Sequence, residues 1–188
     1  MPANTLYFRT SATQVLPSEA VGYKPFTVEG QTEVYADAYK RYGISLEETS
    51  LSRLMTPAPN KEIVENKSDL EHGKRVYRDS ADVRKDERNV SLIFNITAKN
   101  EAEFMSRYAL FCEEILDKGF IDIRTEYSLY DTVYDDNGNL TSYKYRVFRM
   151  TYLDCTQFTE FNQSIGKFTL SLNEPDPTNR GENDSWET

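Results

Sequence analysis

The side chains that carry out most nucleophilic chemistry are scarce and isolated in this chain of 188 residues. A Ser/His or Cys/His pair needs an imidazole as its base, and the one histidine, His72, lies beside Gly73 in a charged stretch without a nucleophile motif. The two cysteines, Cys112 and Cys155, lack the spacing of a zinc site and are predicted to be reduced thiols. The sequence therefore predicts neither a catalytic triad nor a zinc centre.

Paired carboxylates are the remaining candidates for acid and base chemistry. Glu113–Glu114 and Asp135–Asp136 have the residue types of a glycosidase. Neighbouring acids are expected by chance among 31 acidic residues, and the first pair falls largely outside the apolar stripe of its helix. We therefore predict that Glu113 and Glu114 lie on a solvated face.

The stretch from Asp135 to Asn139 partly resembles a calcium-binding loop, because its oxygen-bearing side chains alternate along the chain. Leu140 stands where that loop needs glycine, and Arg146 stands where it needs a glutamate. Asn137–Gly138 instead suits a tight hairpin turn. The sequence predicts no catalytic residue, no metal and no cofactor.

Composition excludes several classes of function. The 22 basic and 31 acidic residues give a formal net charge of −9, which argues against a general attraction to nucleic acid backbones. Neither a secretory signal nor a membrane span is predicted. The 13 tyrosines and 10 phenylalanines provide the apolar surface of a folded core, so we expect a soluble domain.

Periodicity predicts a single α+β domain over residues 1–173. Thr32–Tyr42 has helical spacing and Gly43 is placed to end the helix, although its tyrosines also suit a strand. The main helix begins after the N-cap Asn100 and ends near Lys118. Strands are predicted at Leu6–Thr10, Pro25–Val28, Asn89–Thr97, Phe120–Thr125, Ser128–Tyr134, Thr141–Cys155 and Lys167–Asn173. This pattern predicts an antiparallel β-sandwich or a partly open barrel with one main packed helix.

Residues 53–88 interrupt the pattern and are predicted to form a long charged loop. From Lys61 to Arg88 the chain has eight acidic and eight basic residues, with few apolar ones. Loops longer than roughly 12 to 15 residues are uncommon in compact domains and are either functional or disordered. We predict an arm that orders against a neighbouring subunit. Its candidate contact residues are Lys61, His72, Arg75, Arg78 and Arg84.

The last residues, 174–188, contain five acids, one arginine and few apolar side chains. They are predicted to form a flexible acidic tail, because they have little to bury against the core. Trp186 is either a docking anchor or an incidental terminal aromatic.

Four stretches of the chain resemble tail proteins of long-tailed bacteriophages and prophages: Tyr39–Leu46, Glu71–Lys74, Asn89–Gly119 and Phe168–Pro175. The resemblance fits tail-tube, tail-terminator and distal-tail proteins alike. It implies a β-sandwich or β-barrel with one packed helix, without catalytic residues. It also implies a ring-forming subunit whose strands join across neighbours and whose long loop reaches an adjacent ring. Its partners would be its own copies and other tail proteins, in a virion assembled in the bacterial cytoplasm.

Three functions stay open at this point. The first is a non-enzymatic tail component that assembles into rings or tubes, for which an acidic surface suits the passage of DNA. The second is a monomeric module that binds carbohydrate or peptide through exposed tyrosines such as Tyr143 and Tyr145. The third is a small hydrolase that uses paired carboxylates.

Overall fold

The computed structural model describes residues 5–15, 21–28, 31–61, 65–66, 75–76, 84–138, 140–162, 164–178 and 180. The strands are β1 (Leu6–Arg9), β2 (Tyr23–Val28), β3 (Gln31–Asp37), β4 (Ile44–Leu46), β5 (Glu65–Asn66), β6 (Arg75–Val76), β7 (Arg88–Thr97), β8 (Phe120–Tyr134), β9 (Leu140–Asn162) and β10 (Ile165–Glu174). The α-helices are α1 (Ser11–Val15), α2 (Ala38–Tyr42), α3 (Glu48–Met55) and α4 (Glu101–Phe111), and a π-helical turn, Cys112–Leu116, continues α4.

Eight of these strands form one antiparallel sheet in the order β2-β3-β1-β8-β9-β10-β7-β4. The sheet is open, because β2 and β4 each pair on one side only among the described strands. The prediction of an α+β fold built on an antiparallel sheet is confirmed. The remaining strands, β5 and β6, pair with each other away from this sheet.

Alternation along the strands separates the two faces of the sheet. On β7 the residues from Arg88 to Ile96 are buried at every second position, as a period of two requires. The face to which these residues point is covered by α4, whose Phe104 and Phe111 are buried against Phe168 and its neighbours. Truncating one such phenylalanine to alanine costs about 3 to 5 kcal/mol in typical cores.

Local signals set both ends of α4. The side-chain oxygen of Asn100 accepts a hydrogen bond from the backbone N–H of Glu103 at 2.9 Å, and the Glu103 carboxylate accepts one from the N–H of Lys99 at 2.8 Å. The predicted N-cap is confirmed. Gly119 follows the π-helical turn with a φ of +36°, a value that favours glycine.

The helix predicted at Thr32–Tyr42 is only partly present. Residues 32–37 were expected in a helix but belong to strand β3, and only Ala38–Tyr42 is helical. The reason is tertiary, because β3 lies between β1 and β2 and pairs with both. The C-cap role of Gly43 is confirmed, since its φ is +68° and its N–H donates to the Tyr39 carbonyl.

The boundaries of the predicted loop and tail also move. The stretch 53–55 is the last turn of α3, and Arg88 already belongs to β7. Glu174 was expected to begin the tail, yet it ends β10 and is 1% exposed. Pro177 is also buried, and residues 181–188, with Trp186, lie outside the described residues.

Candidate functional site

The segment predicted to be an arm is paired at two places. Lys61 donates its backbone N–H to the Arg84 carbonyl at 2.8 Å, and Asp86 donates to the Pro59 carbonyl at 2.9 Å. Farther along, β5 pairs antiparallel with β6. Residues 59–86 are called the arm here, and its paired residues 59–61 and 84–86 are called the arm base.

A second hairpin is made by the distal parts of β8 and β9, residues 126–146, and is called the ribbon. The last residue of β8 that pairs with β1 is Thr125, whose partner is Leu6. Beyond it β8 and β9 continue to pair with each other as far as Tyr134 and Leu140. At about 3.3 Å per residue, nine residues carry the turn of the ribbon roughly 30 Å from the sheet.

The arm and the ribbon leave the same end of the sheet. The strands β8, β9, β10 and β7 are successive antiparallel neighbours. The end of β9 that continues into the ribbon therefore lies on the same side of the sheet as the last residue of β10 and the first residue of β7. The register confirms this, since Asn173 pairs with Thr151 and Glu174 pairs with Arg88. Only β10 separates β9 from β7, so the roots of the two projections are about 10 Å apart.

A buried ionic network joins these two roots. Glu174 is ion-paired with Arg88, and its carboxylate also accepts two hydrogen bonds from Arg180, at 2.8 and 2.9 Å. The Arg88 guanidinium donates in addition to the carbonyls of Leu54, at 2.8 Å, and Thr56, at the end of α3. Arg88 thus caps the helix that leads into the arm.

The other side of the network reaches the ribbon. The Arg180 guanidinium lies 5.3 Å from the ring centroid of Phe148. The backbone carbonyl of Arg180 accepts a hydrogen bond from the Val147 N–H at 3.0 Å. Phe148 and Val147 belong to β9 at the root of the ribbon. Glu174 therefore contacts both Arg88, at the root of the arm, and Arg180, which packs against the root of the ribbon.

An open groove of about 600 Å³ lies beside the arm base, between the end of α3 and the start of β7. Its lining combines the apolar side chains of Pro57 and Pro59 with the charged ones of Arg53, Glu87 and Arg88. Arg53 is exposed and donates one hydrogen bond to the Ser91 carbonyl at 3.2 Å.

The predicted contact residues divide between described and undescribed parts of the arm. Lys61 and Arg84 lie directly across from each other in the arm base, and both are exposed. Arg75 lies in β6, where it pairs with Asn66. His72 and Arg78 lie outside the described residues.

The prediction for Glu114 was wrong, because this residue is buried, 9% exposed. Its carboxylate accepts hydrogen bonds from the hydroxyl of Tyr42 at 2.8 Å, the hydroxyl of Tyr23 at 3.1 Å and Nε of Arg41 at 2.7 Å. The π-helical turn explains the error, since its i to i+5 spacing rotates residues after Phe111 relative to an α-helix. Glu113, by contrast, is exposed as predicted.

These contacts determine the ionisation of the Glu114 cluster. Burial alone would raise the pKa of Glu114, but hydrogen bonds from Arg41 and Tyr42 lower it below its usual value. Burial and the neighbouring carboxylate raise the pKa values of Tyr42 and Tyr23 well above the usual range for tyrosine. The carboxylate is thus held as an anion among neutral phenols and one guanidinium, which suits the joining of α2 to the π-helical turn.

Another buried carboxylate, Asp122, lies on the other face of the sheet and is 0% exposed. Arg9 donates to it from Nε at 2.9 Å, and Arg149 donates from Nε at 3.0 Å and from Nη2 at 3.2 Å. Arg9 is also ion-paired with Glu33. Because the three strands β1, β8 and β9 supply these groups, the cluster stabilises their register.

The described residues contain no group of three or more His, Cys, Asp or Glu side chains that could hold a metal ion. Cys112 and Cys155 are free thiols, and burial raises the pKa of each. None of the described helices is long and apolar enough to cross a membrane.

The ionic network was missed although the sequence contains a signal for it. Arg88 is in phase with the buried positions of β7, and Glu174 is in phase with those of β10. Opposite charges that continue the apolar faces of two predicted strands indicate a buried pair, because an isolated charge would not be tolerated there.

No protein-family model matches this chain, and no curated protein sequence shows significant similarity to it.

Proposed function

We propose that this protein is a non-enzymatic structural subunit of a phage or prophage tail, which assembles with its own copies into rings or tubes through the arm and the ribbon. The observation that carries the proposal is the departure of both hairpins from one end of the sheet, with Glu174 linking their roots.

Backbone pairing supports a role in assembly. Among the described strands, none pairs with the outer edge of β8 beyond Thr125, so the ribbon is two-stranded. Isolated two-stranded hairpins are marginally stable in water, and unpaired strand edges readily accept a strand from another chain. A neighbouring copy would supply the missing contacts.

Symmetry and charge are also consistent with the proposal. A contact between two different surfaces of identical subunits closes into a ring or continues as a tube. The formal net charge of −9 suits a conduit through which DNA slides without adhering. The buried carboxylates Glu114, Asp122 and Glu174 each have arginine partners, which is typical of structural ion pairs.

Assembly is tested with the full chain and with an arm-shortened variant in which Asn-Gly joins Lys61 directly to Arg84. These two residues already form a hydrogen-bonded cross-strand pair, and Asn-Gly supplies the tight turn that such a pair needs. Negative-stain electron microscopy and sedimentation velocity should show rings or tubes for the wild type. The shortened variant should keep its thermal unfolding midpoint and assemble much more weakly, because only the arm base is left of the arm.

A strictly monomeric wild type at high concentration would contradict the proposal, as would unchanged assembly of the shortened variant. Glycan or peptide binding by that monomer, lost on Tyr143→Ala or Tyr145→Ala, would instead support the alternative function as a binding module. Both tyrosines lie on β9 within the ribbon.

A further inference from the structure

The arm base places two positive charges directly opposite each other. The backbone bond from Lys61 to Arg84 makes them a cross-strand pair, so their side chains leave the same face of the hairpin. Like charges in this position destabilise an antiparallel pair. The arm base itself contains one acidic residue, Asp86.

The surroundings of this pair add further positive charge. Arg53 and Lys85 are exposed, and Lys85 uses its Nζ to donate to the Asn60 side chain at 2.8 Å. Within residues 53–61 and 84–91 the exposed basic side chains are four, Arg53, Lys61, Arg84 and Lys85, against the two acidic residues Asp86 and Glu87, in a chain whose formal net charge is −9; Arg88 is buried against Glu174. The arm base is thus a basic surface on an acidic protein, and it suits an anionic partner.

The turn of the ribbon has the complementary charge. Asp135 and Asp136 are adjacent there, and Asp136 is exposed. The turn is shaped locally, because the Asp135 side chain accepts a hydrogen bond from the Asn137 N–H at 2.9 Å and Gly138 has a φ of +79°.

Geometry favours a second copy as the source of this turn. Arg84 is four residues from Arg88, so the arm base reaches roughly 13 Å beyond the start of β7. The turn of the ribbon lies nine residues, roughly 30 Å, beyond Thr125. The turn therefore extends past the arm base of its own chain. In a ring every copy presents the same end of its sheet to the same side, so the ribbon of one copy can reach the arm base of its neighbour.

We infer that the basic arm base, centred on Lys61 and Arg84, binds the acidic Asp135–Gly138 turn of a neighbouring copy. This inference rests on the proposed function, which it deepens by naming the two surfaces that meet. The contact is heterologous, and because it is charge-driven it weakens as salt increases.

The test uses charge reversal on both surfaces of the full-length protein. An arm variant carries Lys61→Glu and Arg84→Glu, and a turn variant carries Asp136→Lys. A control variant carries Lys99→Glu and Lys118→Glu, which flank α4 and change the net charge as much as the arm variant does. Sedimentation velocity measures the self-association of each variant, and circular dichroism verifies that each is folded.

Each reversal should weaken self-association by about tenfold or more, and the control variant should change it much less. An equimolar mixture of the arm and turn variants should assemble again, because each contact between unlike chains joins either the introduced lysine to the introduced glutamates or the native turn to the native arm base. A double-surface variant combining all three substitutions should also assemble by itself.

Failure of the inference can be distinguished from failure of the proposed function. If the wild type assembles and the arm variant behaves like the control, the inference is wrong while the proposed function stands. If the mixture does not recover assembly, the ribbon turn is not the partner of the arm base. A wild type that never assembles overturns both.

Discussion

Replacing Glu174 with leucine should destabilise the fold strongly, because Glu174 is the anion shared by Arg88 and Arg180. The Arg88 and Glu174 side chains are 6% and 1% exposed, so the substitution leaves a buried guanidinium without its counter-ion. Breaking such a pair from one side typically costs 3 to 5 kcal/mol. We expect about 3 kcal/mol, because Arg88 keeps its hydrogen bonds to the carbonyls of Leu54 and Thr56.

A double-mutant cycle with Arg88→Met isolates the pair itself. Arg88→Met alone removes the counter-ion of Glu174 and also the donors that cap α3, so it should cost at least as much. The double variant replaces a buried ion pair with apolar side chains, and its loss should be smaller than the sum of the single losses by roughly 2 kcal/mol. Urea unfolding followed by far-ultraviolet circular dichroism measures all three free energies.

Lys40→Met is the control, since the lysine side chain is 73% exposed and the buried Asp37 with which it pairs keeps its hydrogen bond from the Lys40 backbone N–H. It should cost less than about 1 kcal/mol. The reasoning is refuted if Glu174→Leu costs no more than this control, or if the two single losses simply add. Either result would mean that Arg88 and Glu174 do not depend on each other.

Three further predictions concern other parts of the molecule. Because the folded-state pKa of Glu114 is lowered, its contribution to stability is present above about pH 4.3 and is lost as the pH falls through the folded value. Urea midpoints measured from pH 3 to 7 should therefore fall less steeply with decreasing pH in Glu114→Gln than in the wild type. Parallel curves would contradict this. Gly43→Ala should lower stability by at least about 1 to 3 kcal/mol, since φ is +68° and the new Cβ would lie 2.2 Å from the Thr97 carbonyl oxygen; an unchanged melting temperature would disprove it. Burial raises the pKa values of Cys112 and Cys155. Both thiols should therefore react with iodoacetamide at pH 8 more slowly than a peptide thiol, and faster in urea than in buffer. Equal rates for the protein thiols and the peptide thiol in buffer would count against the described environment.

Sequence periodicity predicted most of the sheet because the necessary information is local. The alternation from Asn89 to Thr97 and the cap at Asn100 are readable within a few residues, and the structure confirms both. The same reasoning failed for residues 32–37, where helical spacing and β-prone side chains coincide. There the pairing of β3 with β1 and β2 determines the conformation, and the partners of a strand are not a local property.

For the candidate site, the charged composition of residues 53–88 and the candidate contacts Lys61 and Arg84 could be read from the sequence. The folded chain was needed to show that these two lie opposite each other, that Glu114 is buried, and that the arm and the ribbon leave one end of the sheet. The physical reason is separation along the chain. Arg88 and Glu174 are 86 residues apart, and Arg41 and Glu114 are 73 apart, so only the order of strands in the folded sheet and the shifted spacing of the π-helical turn bring their charges together.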